Sequence, residues 1–293
     1  MYCKACPRSC NIDRENKRGF CKSPIYPVIC RAALHFWEEP CISGKNGSGT
    51  IFFKGCSLRC AFCQNYEISR DGEGKICSPE RLAEIMRELV LQGAHNINLV
   101  NPTHFTYAIK ETLKIYKPPV PVVYNSGGYD SVSSLKSLEG LIDVYLPDYK
   151  YADEKLSSEL SGARDYPAAA NEAIREMIRQ TGNIQINKET GMIQKGVIVR
   201  HLVLPGHVKN SKAVIKYLLE TYKDQILISI MNQYTPMPQV AEDPLLSRKV
   251  TKREYEKVID YALELGMEDG FIQEGEAAKE SFIPEFNLEG IGI

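Results

Sequence analysis

Three cysteines, Cys56, Cys60 and Cys63, lie within a stretch of eight residues, directly after a short apolar run. Cysteine thiolates are ligands for zinc and for iron–sulfur clusters. A structural zinc ion normally takes four protein ligands, whereas three thiolates around a four-iron cubane leave one iron open to a small molecule. Cys77 could supply a fourth thiolate, but it lies 14 residues further on, beyond a polar loop. The spacing therefore favours an open iron–sulfur cluster over structural zinc.

A second set of four cysteines, Cys3, Cys6, Cys10 and Cys21, lies at the start of the chain. All ten cysteines fall in the first 77 residues. In a reducing compartment such crowding favours metal thiolates over disulfides. We predict that the N-terminal set binds metal, either zinc or a second iron–sulfur cluster. The alternative is that these residues are ordinary core cysteines of a small N-terminal segment.

Short apolar runs alternate with segments of helical periodicity through the rest of the chain. The runs are almost continuously apolar, as expected for parallel strands buried on both faces. Between them, Ser78 before Pro79 is typical of a helix start, and Thr251 with Glu254 forms a capping box. This order predicts an α/β fold with a parallel sheet and right-handed crossovers. We favour a sheet curled toward a barrel over a doubly wound one, because no Gly-x-Gly-x-x-Gly motif follows the first strand. The six predicted strands are 50–54, 96–100, 120–124, 141–146, 197–204 and 226–231.

The best boundary in the chain is the Asn-Gly-Ser-Gly stretch at residues 46–49. We predict a cysteine-rich extension at 1–45, a barrel at 46–270 and a tail at 271–293 that packs on the barrel. The first predicted strand ends just before Cys56. The carboxyl ends of barrel strands carry the active sites of barrel enzymes, so the three clustered cysteines lie where such a fold would place its chemistry.

The charges of the chain are balanced, with 36 Lys and Arg against 37 Asp and Glu in 293 residues. A net charge of −1 gives no long-range attraction for phosphate backbones, which argues against a nucleic-acid partner. No apolar run approaches the ~18 residues of a membrane helix. The first residues lack the basic and apolar stretches of a secretory signal. We therefore expect a cytoplasmic protein with no membrane segment.

The sequence around the cysteine triplet resembles that of a known family. Cys56-x3-Cys60-x-Phe62-Cys63, followed by Gln-Asn, resembles the motif of radical S-adenosylmethionine (SAM) enzymes, and among them the pyruvate formate-lyase activating enzymes and their relatives. The N-terminal stretch 33–44 resembles an uncharacterised subgroup related to those activases.

The resemblance implies a partial (β/α)6 TIM-like barrel and a [4Fe-4S] cluster whose open iron binds SAM. An electron delivered through the cluster would cleave SAM and release a 5′-deoxyadenosyl radical, which abstracts hydrogen from a substrate. The resemblance also implies a low-potential electron donor of the flavodoxin or ferredoxin type. For an activase it further implies a protein substrate that receives a glycyl radical.

The resemblance also carries SAM contacts over, residue by residue. Phe62 would lie against the adenine, while Asp148 and Lys150, at the end of the predicted fourth strand, would face SAM. Arg200 on the fifth strand would hydrogen-bond SAM, although an ion pair to a neighbouring acid is the alternative interpretation. Ser126 lies in an Asn-Ser-Gly turn that resembles the Thr-Asn-Gly turn after the family's third strand.

Two positions depart from the family pattern. The second strand lacks the Gly-Gly-Glu that holds the methionine amine, and Asn101 and Thr103 lie near its place. An Asn carbonyl or a Thr hydroxyl could accept the hydrogen bonds of that amine. The sixth-strand histidine is also absent, with Asn-Gln-Tyr at 232–234 near its place. These departures predict a polar pocket unlike that of a standard activase, with an unidentified substrate.

Two further functions are open on the sequence alone. The thiols could serve as zinc ligands of a non-catalytic interaction module. Alternatively, the chain could be a radical SAM enzyme that modifies RNA, against which its balanced charge weighs.

Overall fold

The computed structural model describes residues 3–273 and 284–292. Its centre is a sheet in which six strands run parallel in the order β2, β4, β5, β6, β8 and β9. The strands are β1 (Val28–His35), β2 (Ser48–Phe53), β3 (Lys75–Ile76), β4 (Ile97–Val100), β5 (Val122–Ser126), β6 (Val144–Pro147), β7 (Gln185–Ile186), β8 (Ile193–Leu202), β9 (Leu227–Met231) and β10 (Gly270–Ile272).

The six parallel strands confirm the six predicted ones. All six residues of β2 are buried, as expected for a strand covered on both faces. β10 adds a parallel strand beside β9, and β1 and β3 extend the other edge in antiparallel orientation. In the part of the chain that the structure describes, the edge strands β3 and β10 do not pair with each other. The sheet is therefore a partial, open barrel.

Helices cover the outer face of the sheet. α3 begins as predicted, since the Ser78 hydroxyl accepts a hydrogen bond from the Arg81 amide and Pro79 occupies the first turn. The predicted capping box of Thr251 and Glu254 begins α9. The helices are α1 (Pro40–Ser43), α2 (Tyr66–Arg70), α3 (Pro79–Leu91), α4 (Thr106–Ile115), α5 (Val132–Ser137), α6 (Glu154–Ser161), α7 (Tyr166–Thr181), α8 (Val208–Tyr222) and α9 (Lys252–Glu264).

A short N-terminal segment closes the amino end of the barrel interior. Cys41 and Ile42 of α1 pack against inward-facing strand residues that include Val123 and Ile198. The Asn96 side chain donates a hydrogen bond of 2.7 Å to the Ile42 carbonyl and fixes α1 below the sheet. The segment between β1 and α1 consequently passes through the barrel interior.

The strand β1 lies within the segment predicted as an extension, and the sequence pattern gave no indication of it. It pairs with β2, for example Ala33 opposite Thr50. Of the predicted tail 271–293, residues 271 and 272 belong to β10. Residues 284–292 run along β1, where the Ala32 amide donates to the Glu289 carbonyl over 2.8 Å. Residues 274–283 and 293 lie outside the described residues.

No helix within residues 3–273 and 284–292 combines the length and the apolar character that crossing a membrane requires.

Candidate active site

One cavity at the carboxyl ends of the parallel strands gathers most of the predicted site residues. It is bounded by the loop after β2, by the ends of β4, β5, β6 and β8, and by the segment between β1 and α1. Nine of the ten predicted cluster and SAM residues line it: Cys56, Cys60, Phe62, Cys63, Asn101, Ser126, Asp148, Lys150 and Arg200.

The loop that carries the cysteine triplet begins with a glycine that no other residue could replace. Gly55 has a φ of +87°, and a Cβ atom there would lie 2.2 Å from the Ser23 hydroxyl and 2.6 Å from the Cys21 carbonyl. The N-terminal segment therefore packs directly under the start of the loop. Arg59, inside the loop, also has a positive φ of 58°.

The three thiols of the loop share one environment. Burial, followed by the neighbouring Cys60 and Cys56 thiols, raises the pKa of Cys63 to about 12. Burial and Cys60 likewise raise the pKa of Cys56. Ionising Cys56 and Cys63 therefore requires nearby positive charge. Iron ions would supply it and Lys150 would add to it, so the donor set fits an iron–sulfur cluster.

Hydrogen bonds are already directed at the sulfur atoms of the loop. The Ser161 hydroxyl donates to Cys60 Sγ over 3.0 Å, and the Leu58 amide donates to Cys56 Sγ over 3.3 Å. Tyr151, which is hydrogen-bonded to Ser161 over 2.6 Å, holds that serine in place. Such contacts stabilise thiolate sulfur and tune the reduction potential of a bound cluster.

A row of ion-paired side chains crosses the cavity beside the thiols. Lys150 Nζ donates to Asp148 Oδ2 over 2.5 Å, and Arg200 Nε donates to Asp148 Oδ1 over 3.2 Å. Burial alone would raise the pKa of Asp148, but the Lys150 and Arg200 charges outweigh it and lower that pKa. Arg200 thus lines the cavity and is ion-paired, which confirms the alternative interpretation of this residue. Its contact with SAM stays a prediction.

An acidic residue that the sequence did not single out, Glu38, lies at the centre of this row of charged side chains. Glu38 Oε2 accepts a hydrogen bond of 3.0 Å from Arg200 Nη1, and Glu38 Oε1 accepts from Asn98 over 2.9 Å and from Asn125 over 3.4 Å. Glu38 lies in the stretch 33–44, whose family resemblance was the one available signal. Nothing in the periodicity shows that this stretch enters the barrel.

The residues after β4 only partly meet the expectation. Asn101 lines the cavity with a φ of 60°, and its side-chain amide donates to the Gly55 carbonyl. Thr103 is a correction, because it is not among the cavity-lining residues and its hydroxyl donates to Asp130 Oδ1 over 2.7 Å. The left-handed backbone at Asn101 precedes a short 3-10 turn, which directs the Thr103 side chain toward the buried Asp130 carboxyl group. Ser126 lines the cavity, although its hydroxyl donates to Asp130 Oδ2 over 2.6 Å.

The N-terminal cysteines lie next to this loop. Burial raises the pKa of Cys6 to about 12, with smaller contributions from the Cys21, Cys3 and Cys10 thiols, so the four are close enough to interact electrostatically. Among the described residues, no group of three or more His, Cys, Asp and Glu side chains stands at the spacing of a single-ion site, and this applies to both cysteine sets. Metal binding by the N-terminal set stays a prediction.

Arg8 connects the N-terminal segment to the cysteine triplet. Its guanidinium donates to the Ser57 carbonyl over 2.9 Å, and to the Ser161 and Gly162 carbonyls over 3.0 and 2.5 Å. It also lies 4.1 Å from the centre of the Phe20 ring. Ser57 belongs to the loop and Ser161 contacts Cys60, so this one side chain supports two sides of the thiol site.

Comparisons with known proteins agree with this geometry. A family model described as the radical SAM superfamily matches residues 50–273. An uncharacterized protein of Methanocaldococcus jannaschii is 30% identical over 271 residues, which cover 89% of this chain and 74% of that protein.

Solved structures with a similar fold are more distant in sequence. The structure of SuiB from Streptococcus suis bound to S-adenosylmethionine has a TM-score of 0.51 at 16% identity, and the match covers 75% of this chain and 48% of SuiB. A radical SAM methyltransferase from Sphaerobacter thermophilus has a TM-score of 0.52 at 16% identity, covering 75% of this chain and 64% of its own. The chain spans about half the length of the first and less than two thirds of the second. With the family match over most of the barrel, the chain belongs to the radical SAM superfamily, which implies a [4Fe-4S] cluster and SAM.

Proposed function

We propose that this protein cleaves SAM reductively and uses the resulting radical to abstract hydrogen from a substrate, as a radical SAM oxidoreductase. The observation that carries the proposal is the convergence of the Cys56, Cys60 and Cys63 thiols on one cavity with the charged residues Asp148, Lys150 and Arg200. When bound, the cluster would supply the electron that breaks the bond between the SAM sulfonium and the 5′ carbon.

The charged residues of the cavity match the charges of SAM's methionine end. The ammonium group requires hydrogen-bond acceptors, and the carboxylate requires donors. This protein lacks the family's Gly-Gly-Glu, and Glu38 provides a partly buried carboxylate in the cavity. We therefore assign Glu38 to the ammonium group. Its two oxygens have room for a further donor, because a carboxylate offers about four lone-pair sites.

Other residues of the cavity would orient the rest of the molecule. Phe62 is buried and lies between the Tyr151 and Tyr234 rings, with centroid distances of 6.4 and 6.3 Å. Its position is fixed by this packing, which suits a residue that supports an adenine ring. Lys150 and Arg200 keep their positive charge, because Asp148 raises the pKa of each against the effect of burial.

Activation of a glycyl-radical protein is the nearest analogue of the reaction and stays a finer hypothesis. We propose a flavodoxin or ferredoxin type of electron donor, because the reaction consumes one low-potential electron per SAM.

We also propose a reducing compartment, the cytoplasm, since all ten cysteines are described and none forms a disulfide. Within this proposal the N-terminal cysteines hold zinc or a second cluster.

The test is anaerobic reconstitution with iron and sulfide, followed by SAM and dithionite. We expect four irons at the triplet and production of 5′-deoxyadenosine. Cys60→Ala should lose both, whereas the control Cys77→Ala should keep both, because Cys77 does not line the cavity. Equal 5′-deoxyadenosine production by Cys60→Ala and the parent would refute the proposal. Zinc as the sole metal after reconstitution would favour the interaction module.

A further inference from the structure

A second cavity lies beside the first and extends to β10. Its walls come from the segment 37–40, from the end of β9 and from residues 270–273. It shares Trp37, Glu38, Arg200, Met231 and Gln233 with the cavity that holds the cysteine triplet. The two cavities are therefore neighbours, and the charged side chains of Glu38 and Arg200 line both of them.

Glu39 is the charged residue of this second cavity that does not line the first cavity. Only 8% of it is exposed, and within the described residues its Oε2 atom has no hydrogen-bond partner. Ser229 hydrogen-bonds to the same carboxyl group. A buried carboxylate with one unpartnered oxygen is costly for a protein unless a ligand completes it.

Among the described residues of the cavity wall, the one cation near Glu39 is Arg200, which Glu39 shares with two other carboxylates. The charged residues of the wall are Glu38, Glu39 and Arg200, which are two carboxylates and one guanidinium, so one negative charge is in excess. Arg200 is already bonded to Glu38 over 3.0 Å and to Asp148 over 3.2 Å. Burial and the adjacent Glu38 raise the pKa of Glu39 although Arg200 opposes them, as expected for a buried acid beside a second carboxylate.

Part of the wall of the second cavity is apolar. Met231 and Phe271 contribute apolar side chains to it. The two amides present are engaged with each other, since Gln273 Nε2 donates to Gln233 Oε1 over 3.0 Å. The cavity thus combines an acid that has an unpartnered oxygen with an apolar wall formed by Met231 and Phe271.

We propose that this second cavity binds an aliphatic ammonium group, which pairs with Glu39 while its hydrocarbon part lies against Met231 and Phe271. That the ammonium compound is the substrate of hydrogen abstraction rests on the proposed function. The neighbouring cavities would place such a compound beside SAM. Ammonium binding at Glu39 does not itself depend on a cluster or on SAM.

The test is isothermal titration of the full chain with n-hexylammonium, with n-hexanol as the uncharged isostere. Titrations are run on the reconstituted protein with SAM and on the protein as purified. We expect hexylammonium to bind at least tenfold more tightly than hexanol. Glu39→Gln should abolish that preference, and the control Glu73→Gln, on an exposed loop, should keep it.

Trp37 provides a second measurement, because it is the only tryptophan of the chain and lines this cavity. Its fluorescence in the protein as purified should change on addition of hexylammonium in the parent and not in Glu39→Gln. Equal affinity of the parent and a folded Glu39→Gln, or equal affinity for hexanol and hexylammonium, would overturn the inference. If the cluster fails to assemble while the ammonium preference persists, the proposed function fails and the site stands.

Discussion

Glu38 and Arg200 form a partly buried ion pair of 3.0 Å between residues that are 162 positions apart in the sequence. One comes from the N-terminal segment and the other from β8. The pair joins the part of the chain that precedes the family match to the strand end that carries a predicted SAM residue. The N-terminal segment therefore forms part of the candidate active site rather than an appendage to the barrel.

Replacing Glu38 with Gln should weaken SAM binding and leave the cluster intact. The amide keeps the size of the side chain but removes the charge that would pair with the methionine ammonium. A hydrogen bond between charged groups contributes about 1.5–3 kcal/mol, so we expect a loss of about 10- to 100-fold in SAM affinity. Equilibrium binding of SAM to reconstituted protein measures it. Glu172→Gln, on the exposed face of α7, is the control, and an unchanged affinity in Glu38→Gln would contradict the assignment.

The hydrogen bond from Ser161 to Cys60 predicts an effect on the cluster potential. Ser161→Ala removes this hydrogen-bond donor. The reduced cluster carries more negative charge than the oxidised cluster and so loses more stabilisation, and the reduction potential should become more negative. A net hydrogen bond of about 0.5–1.5 kcal/mol corresponds to roughly 20–60 mV for one electron. A redox titration followed by electron paramagnetic resonance measures the shift. Tyr151→Phe should give a smaller shift in the same direction, since Tyr151 only positions Ser161.

The exposed Ser158 on the same helix gives the matched control for this measurement. Ser158→Ala should leave the potential unchanged. A potential in Ser161→Ala equal to or above that of the parent would show that the bond does not reach the bound cluster.

The alternation of apolar runs was sufficient to predict the parallel strands, because each of them is buried on both faces. It did not reveal β1, whose run is interrupted by Arg31 and lies within the cysteine-rich segment. Residues at strand ends were correctly expected at one edge of the sheet. Their directions were not, since a single left-handed residue, Asn101, is followed by a turn that takes Thr103 away from the cavity. The position of Glu38 in the cavity depends on the long-range packing of α1, which no local sequence pattern encodes.

Glu39 predicts an unusual pH dependence of stability. Its pKa in the folded protein lies above the ordinary value of 4.5, because of burial and of Glu38, opposed by Arg200 and Ser229. The folded state therefore binds the proton more tightly than the unfolded state, and stability falls as pH rises above about 4.5 toward the folded-state pKa. Glu39→Gln removes this loss. The melting temperature of Glu39→Gln minus that of the parent should therefore increase from pH 4.5 to pH 8. A constant difference across that range would contradict the prediction.

The N-terminal cysteines predict a structural role for metal that is separable from the triplet. The head, residues 3–27, has no strand or helix of its own. Arg8 and Arg14 attach it to the barrel by donating to the backbone carbonyls of Ser57 and His104. Thiolate ligation would order such a segment, since metal binding then contributes to folding. Cys6→Ser should lower the total metal content and make the head sensitive to protease, while the triplet keeps its four irons. Cys41→Ser, in α1, should change neither the metal content nor the protease pattern. If Cys6→Ser retains the full metal content and the protease resistance of the parent, the four cysteines are ordinary core residues.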